Sequence, residues 1–204
     1  MQTNVKRFVV APAAVAVLAL GAAACGSDDS KDSTTAPATT AAAAPVALAG
    51  KDTTLVLNPA TGTVLKANQV TVTPVGPAKA AEGGIAFPIT AGSINTESLA
   101  GTVDHSGGLK FSAGGKSLEV TDFKVDTVNK QLVAQAGGAA VPLLNLNLAS
   151  VKKASGPNGE IVVSNVSTTL TKEAAAALNS TFGVTLFKAG IPMGDVTITA
   201  AAKA

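Results

Sequence analysis

The stretch SLEVTDFKVD, residues 117–126, decides the fold, because apolar and polar side chains alternate along it. Alternation with a period of two is typical of a β-strand that has one face in a core and the other in water. The apolar positions change phase between Val120 and Phe123. We therefore predict a β-bulge near Thr121 and Asp122, which keeps the four apolar side chains of the segment on the core face.

Similar short stretches recur from Lys51 to the end of the chain, separated by Gly, Asn and Pro. We predict ten strands, at residues 53–57, 69–75, 84–90, 99–105, 109–113, 117–126, 131–135, 143–148, 160–170 and 195–200. Many short strands with glycine turns predict a mainly β fold, either an antiparallel β-sandwich or a barrel-like domain. The predicted domain is single and spans residues 51–204.

Two short helices are also predicted. Asn58 is a good capping residue and Pro59 suits the first helical position, so a helix runs to about Ala67. Thr171 caps a second helix, residues 172–181, in an alanine-rich segment that Gly183 can end.

The two helical regions resemble one another. Residues 53–77 and 168–192 each read as strand, cap, helix and alternating strand, and the last strand of the second region carries Val184 and Leu186. This order indicates either an internal repeat or a chance match in alanine-rich sequence. A true repeat would place the two helices as a pair at one end of the sheets.

The composition excludes several classes of function. Removing Lys6 and Arg7 with a signal peptide leaves 13 basic and 13 acidic side chains, and the chain has no Trp or Tyr. It therefore lacks both the positive field and the stacking surfaces of a nucleic-acid binder. With one Cys and one His, neither an internal disulfide nor a cysteine-based zinc site can form, and we predict no metal site.

The amino terminus has the layout of a secretory signal peptide, residues 1–24. A short basic start precedes an uncharged apolar run that ends in small residues before Cys25. LGAAAC, residues 20–25, resembles the bacterial lipobox, in which the cysteine thiol takes a diacylglyceryl group. We therefore predict that acyl chains such as palmitate at Cys25 anchor the protein to the outer, extracytoplasmic face of the cell membrane. The alternatives are a plain signal peptide and an uncleaved membrane span.

Residues 25–50 consist mainly of Ala, Thr, Ser, Asp and Pro without a periodic apolar pattern. Such composition cannot bury enough surface to fold, so we predict a disordered linker between the anchor and the domain.

No constellation of catalytic residues is visible in the sequence. Asp104, His105 and Ser106 are consecutive, and side chains diverge along an extended chain, so they cannot form a triad among themselves. We predict that the protein is not an enzyme. His105 stands before a predicted turn, where its ring either hydrogen-bonds the backbone or contacts a ligand.

Several stretches in one order resemble a known family. They are FPITAGS (87–93), GTVDHSGGL (101–109), LNLNL (144–148), LTKEAAAAL (170–178), FKAG (187–190) and VTIT (196–199). Together they are similar to the HtaA family, the haem-transport-associated domain of actinobacterial cell-surface proteins. The resemblance implies a mainly β fold with short helices and a haem held by a tyrosine and a supporting histidine, which matches His105.

The chain departs from that family because it has no tyrosine. Val64 and Leu65 stand in the first helix, and Phe187 begins the stretch that carries a tyrosine in the family. Without a phenolate the anionic ligation of ferric haem is lost, so we expect no cofactor.

Two hypotheses about function follow. In the first, the domain binds a small apolar ligand, or haem weakly, near His105, Phe187, Val64 and Leu65 without catalysing a reaction. In the second, it is a structural or adhesive module that binds another envelope protein and has no pocket. An apolar cleft beside His105 favours the first, and a closed, alanine-filled sheet end favours the second.

Overall fold

The structure, a computed structural model, describes residues 43–203. The predicted signal peptide, Cys25 and the linker up to residue 42 lie outside the described residues. The elements are β1 (Val46–Leu57), α1 (Pro59–Ala67), β2 (Thr71–Val75), β3 (Lys79–Ala81), β4 (Gly84–Ile94), β5 (Gly101–His105), β6 (Gly108–Ala113), β7 (Lys116–Asp126), β8 (Gln131–Ala136), β9 (Ala139–Asn147), β10 (Lys152–Ser155), β11 (Ile161–Leu170), α2 (Lys172–Phe182) and β12 (Pro192–Ala202). Neither of these helices has the length and apolar character needed to cross a membrane.

Eight antiparallel strands close into a barrel. Their order is β7, β5, β4, β1, β12, β11, β9 and β8, and pairing of β8 with β7 closes the circle. Of the two predicted architectures the barrel is therefore correct. The remaining strands extend it at the edges: β6 and β2 continue from β7, β3 pairs with β4, and β10 pairs with β11.

Apolar side chains fill the inside of the barrel. Phe87 and Phe123 meet edge to face with ring centroids 4.9 Å apart, a favourable arrangement for aromatic pairs. The largest fully buried side chains come from β5, β7, β11 and α2: Val103, Val120, Val125, Thr168, Leu170 and Leu178.

The predicted bulge in β7 is confirmed. The pairing of β7 with β8 shifts register between Thr121 and Lys124, and Asp122 has a φ of 53°. The shift leaves Val120 and Phe123 both buried although three positions separate them. The bulge also divides β7, whose first half pairs with β6 and whose second half pairs with β5.

Both predicted helices are present with the predicted caps. The Asn58 side chain accepts hydrogen bonds at the start of α1, and that of Thr171 does so at the start of α2. Gly183 ends α2 with a φ of 69°. The helices follow the ends of β1 and β11, which flank the start of β12, so both lie at the same end of the barrel. We call this the helix end.

The barrel begins earlier than predicted. Residues 46–50, assigned from the sequence to the linker, form the start of β1, where Leu48 is buried in the core. Gly50 and Lys51 both have positive φ and shift the register of β1 against β12. This irregularity interrupts the alternating pattern, which is why sequence periodicity did not reveal the strand.

The second strand of the possible repeat is absent. Residues 184–191, predicted to hold a strand with Val184 and Leu186, form an irregular connection that starts beyond the left-handed Gly183. The two regions therefore match only in strand, cap and helix. Two short exposed strands, β3 and β10, were not predicted because their side chains show no apolar alternation.

Candidate functional site

Three of the four predicted site residues line one groove at the helix end. Val64 and Leu65 lie on α1, and Phe187 lies in the connection between α2 and β12. We name this cavity the α1 groove; its volume is about 180 Å³, and its lining is Ala60, Thr61, Val64, Leu65, Leu186, Phe187, Ile191 and Met193. His105 does not line it.

The amino-terminal end of α1 is attached to the start of β12. The backbone N–H of Asn58 donates to the carbonyl oxygen of Met193 over 3.0 Å, and the Thr61 hydroxyl donates to the carbonyl oxygen of Pro192. The Asn58 side-chain oxygen accepts from the N–H groups of Ala60 and Thr61 at 3.0 and 3.3 Å. These bonds fix one wall of the groove and satisfy the first free N–H groups of the helix.

The opposite wall is held by an asparagine of α2. The Asn179 side-chain amide donates to the Phe187 carbonyl oxygen over 2.8 Å, and its oxygen accepts from the Phe187 N–H over 3.0 Å. The Phe187 ring is buried and lies 6.4 Å, centroid to centroid, from the ring of Phe182. The irregular connection is thus fixed in place by side-chain bonds that replace a strand ladder.

The surface of the α1 groove is apolar. Its one hydroxyl, on Thr61, is already bonded to Pro192, and the other lining side chains are aliphatic, aromatic or a thioether. Val64 is 45 % exposed at the mouth, whereas Leu65 is buried at the inner side. Concave, mainly apolar surfaces of this kind are the usual form of small-molecule sites.

His105 lies inside the barrel, beside a separate cavity of about 30 Å³. Its Nδ1–H donates to the Phe123 carbonyl oxygen over 3.0 Å, so Nε2 carries no proton in the neutral ring and accepts from the Thr53 hydroxyl at 2.6 Å. Burial lowers the pKa of His105, against smaller raising effects of the Phe123 bond and the Asp104 charge. The sequence left two roles open for His105, a backbone hydrogen bond or contact with a ligand, and the structure shows the hydrogen bond to the backbone of Phe123.

The residues present do not fit a ligated haem. The α1 groove has no tyrosine, histidine or cysteine in its lining. Among the lining side chains, only the Met193 thioether is of a type that ligates haem iron. Both ring nitrogens of His105 are engaged within the barrel. In the described part of the chain, no three His, Cys, Asp or Glu residues lie together as a metal site.

Sequence reasoning missed five of the eight residues that line the groove. Ala60 and Thr61 precede Val64 and Leu65 by four residues, and this helical spacing could have revealed them as one face of α1. Leu186, Ile191 and Met193 follow no periodic pattern, because they lie in or next to an irregular connection. Only the path of the chain brings them to the groove.

Comparisons with known proteins show the fold. No family model and no curated protein sequence matches the chain. Among solved structures, the C-terminal domain of HtaA from Corynebacterium glutamicum is similar, with a TM-score of 0.57 and 12 % sequence identity over 76 % of this chain and 98 % of that chain. The HtaA-like fold expected from the sequence is thereby confirmed.

Proposed function

We propose that this chain is a lipid-anchored protein on the outer face of the cell membrane, and that its barrel domain binds a small apolar ligand in the α1 groove without catalysing a reaction. The observation that carries the proposal is the groove itself. Residues that the sequence singled out, Val64, Leu65 and Phe187, converge there from two distant segments.

The size and the lining of the groove support ligand binding over a purely structural role. A closed helix end would have favoured an adhesive module, but the helix end is open at Val64. Burying apolar surface contributes about 25 cal/mol per Å², so a ligand that covers this concave surface gains binding free energy without any polar contact. The cavity beside His105, in contrast, is closer to the size of one water molecule.

The proposal that the protein is not an enzyme rests on the chemistry of the lining. A catalytic site needs acid, base or nucleophilic groups directed at the reacting atoms. The α1 groove offers a bonded threonine hydroxyl and the Met193 thioether, and neither is an acid or a base near neutral pH.

A neutral fluorescent probe tests binding in the groove. N-phenylnaphthylamine, added to the purified mature chain, is expected to brighten when its phenyl ring, which has the size of one benzene, enters the apolar site. In Val64→Trp the indole fills the mouth and the signal is lost. Val128→Trp is the matched control, because Val128 is a 65 % exposed valine in the turn between β7 and β8. Equal signals from both variants would contradict the proposal.

The anchor is tested separately. We expect the native protein to fractionate with membranes and to carry an acyl mass at Cys25 in mass spectrometry. Cys25→Ser is expected to be released into the soluble fraction. A native chain with a free thiol at Cys25 would contradict the proposed anchor while leaving the groove proposal standing.

A further inference from the structure

We propose that the α1 groove takes one end of a medium-length alkyl chain whose other end is an anionic group, of which a fatty-acid carboxylate is the simplest case. This inference rests on the proposed function of the groove and names the chemistry of its ligand. It is carried by the volume of the groove, by the bonding of its polar atoms and by the charges at its rim.

The volume limits the buried part of the ligand to a narrow hydrocarbon. An apolar cavity of about 150 Å³ holds one benzene molecule. The α1 groove, at about 180 Å³, therefore has room for about six or seven carbon atoms. A porphyrin is several times larger than one benzene ring and does not fit this space.

The hydroxyl of Thr61 and the N–H groups at the start of α1 are not free to donate to a ligand in the groove. The Thr61 hydroxyl is bonded to Pro192, and the N–H groups of Ala60 and Thr61 are bonded to Asn58. A polar atom buried without a hydrogen bond costs about 1 to 3 kcal/mol in proteins, so the polar end of the ligand must stay outside. The ligand is therefore an amphiphile.

Two exposed lysines next to lining residues in the chain supply positive charge for that polar end. Lys66 directly follows Leu65, a lining residue on α1. Lys188 directly follows Phe187, a lining residue in the connection between α2 and β12. Both are exposed, and within residues 43–203 neither forms an ion pair. Two exposed lysines beside an apolar groove complement an alkyl chain that ends in an anion.

Displacement of N-phenylnaphthylamine from the mature chain tests the inference. Carboxylates from butanoate to dodecanoate are compared with the alcohols of the same chain lengths. Each added CH₂ is expected to tighten binding about fourfold until the groove is full at about six or seven carbons, after which the affinity levels off. Octanoate is expected to bind about threefold to tenfold tighter than octanol at low ionic strength, and the difference disappears in concentrated salt.

Charge variants assign the effect to the rim. The double variant Lys66→Gln with Lys188→Gln is expected to bind octanoate no better than octanol, while its affinity for octanol is unchanged. Lys152→Gln, an exposed lysine of β10, is the matched control and keeps the preference. Octyl phosphate in the same assay distinguishes a lipid phosphate from a free carboxylate, since the stronger competitor identifies the anion.

The outcomes separate this inference from the proposed function. If the probe binds and is displaced equally by octanoate and octanol, the anionic end is wrong although the groove remains a binding site. If haem displaces the probe with a Soret shift that Met193→Leu abolishes, and octanoate does not compete, the ligand class is wrong. If the probe does not bind, the proposed function fails as well.

Discussion

We expect the stability of the folded protein to depend on pH through the buried ring of His105, its single histidine, and replacement of His105 to remove this dependence. His105 is 5 % exposed, and burial lowers its pKa from the usual 6.5. In the unfolded chain the ring takes up a proton near its usual pKa, whereas in the folded barrel its lowered pKa means that it takes up the proton only at a lower pH. The folded state is therefore favoured fully above pH 6.5 and loses stability as the pH falls below it.

The magnitude follows from proton linkage. While the unfolded chain holds one more proton than the folded chain, the free energy of unfolding falls by up to about 1.4 kcal/mol per pH unit. No other side chain of the protein normally titrates between pH 5 and 7, because His105 is the only histidine. The charged groups near the ring are Asp104 and its ion-pair partner Lys124.

Urea unfolding of the mature chain between pH 7.5 and 5 measures the effect. The native protein is expected to lose stability below pH 6.5. At pH 7.5 His105→Gln is expected to be destabilised by about 1 to 3 kcal/mol, because the Phe123 carbonyl and the Thr53 hydroxyl lose a matched partner, and this difference should shrink as the pH falls and the native protein loses stability. The stability of the variant should be nearly constant across this range. A ring that titrates at or above pH 6.5 in NMR spectra, or equal slopes in both proteins, would refute the assignment of a buried neutral ring.

Two further predictions concern the frame of the barrel. Hydrogen bonds from the Asn158 side chain and from Lys51 lower the pKa of Glu160 to about 2; the Lys51 Nζ lies 3.0 Å from the Glu160 Oε1. We therefore expect the stability of the protein to decline as the pH falls from about 4.5 towards 2. In thermal melts, Glu160→Gln is expected to weaken this decline. The Thr171 hydroxyl oxygen caps α2 by accepting from the Ala174 N–H at 3.1 Å. Thr171→Ala removes this cap and is expected to lower the free energy of unfolding, measured with urea, by about 1 to 2 kcal/mol. An unchanged unfolding midpoint in Thr171→Ala would show that the cap is dispensable.

Local signals in the sequence were sufficient for most of the elements. The bulge in β7 follows from the phase change between Val120 and Phe123, and the helix starts follow from Asn58 and Thr171. Each of these features depends on the side chains of a few neighbouring residues. Local alternation, however, does not distinguish a sandwich from a barrel. Closure depends on the pairing of β7 with β8, where Val125 lies opposite Leu132.

The groove could be predicted only in part. Val64, Leu65 and Phe187 were found through resemblance to a family, and the structure places them together. His105 was expected beside them, but its position at the end of β5 directs the ring into the barrel towards Thr53. No local pattern in the sequence indicated Met193, because its place in the groove lining depends on how the chain returns from α2 to β12.

The most direct test of the α1 groove is a methyl-selective NMR titration of the mature chain with octanoate. We predict that the methyl signals of Leu65, Ile191 and Met193 shift progressively and saturate together. The methyl signals of Leu132 and Leu143, which line the cavity beside His105, should stay in place. Shifts confined to Leu132 and Leu143, or no shifts at all, would contradict the assignment of the groove as the ligand site.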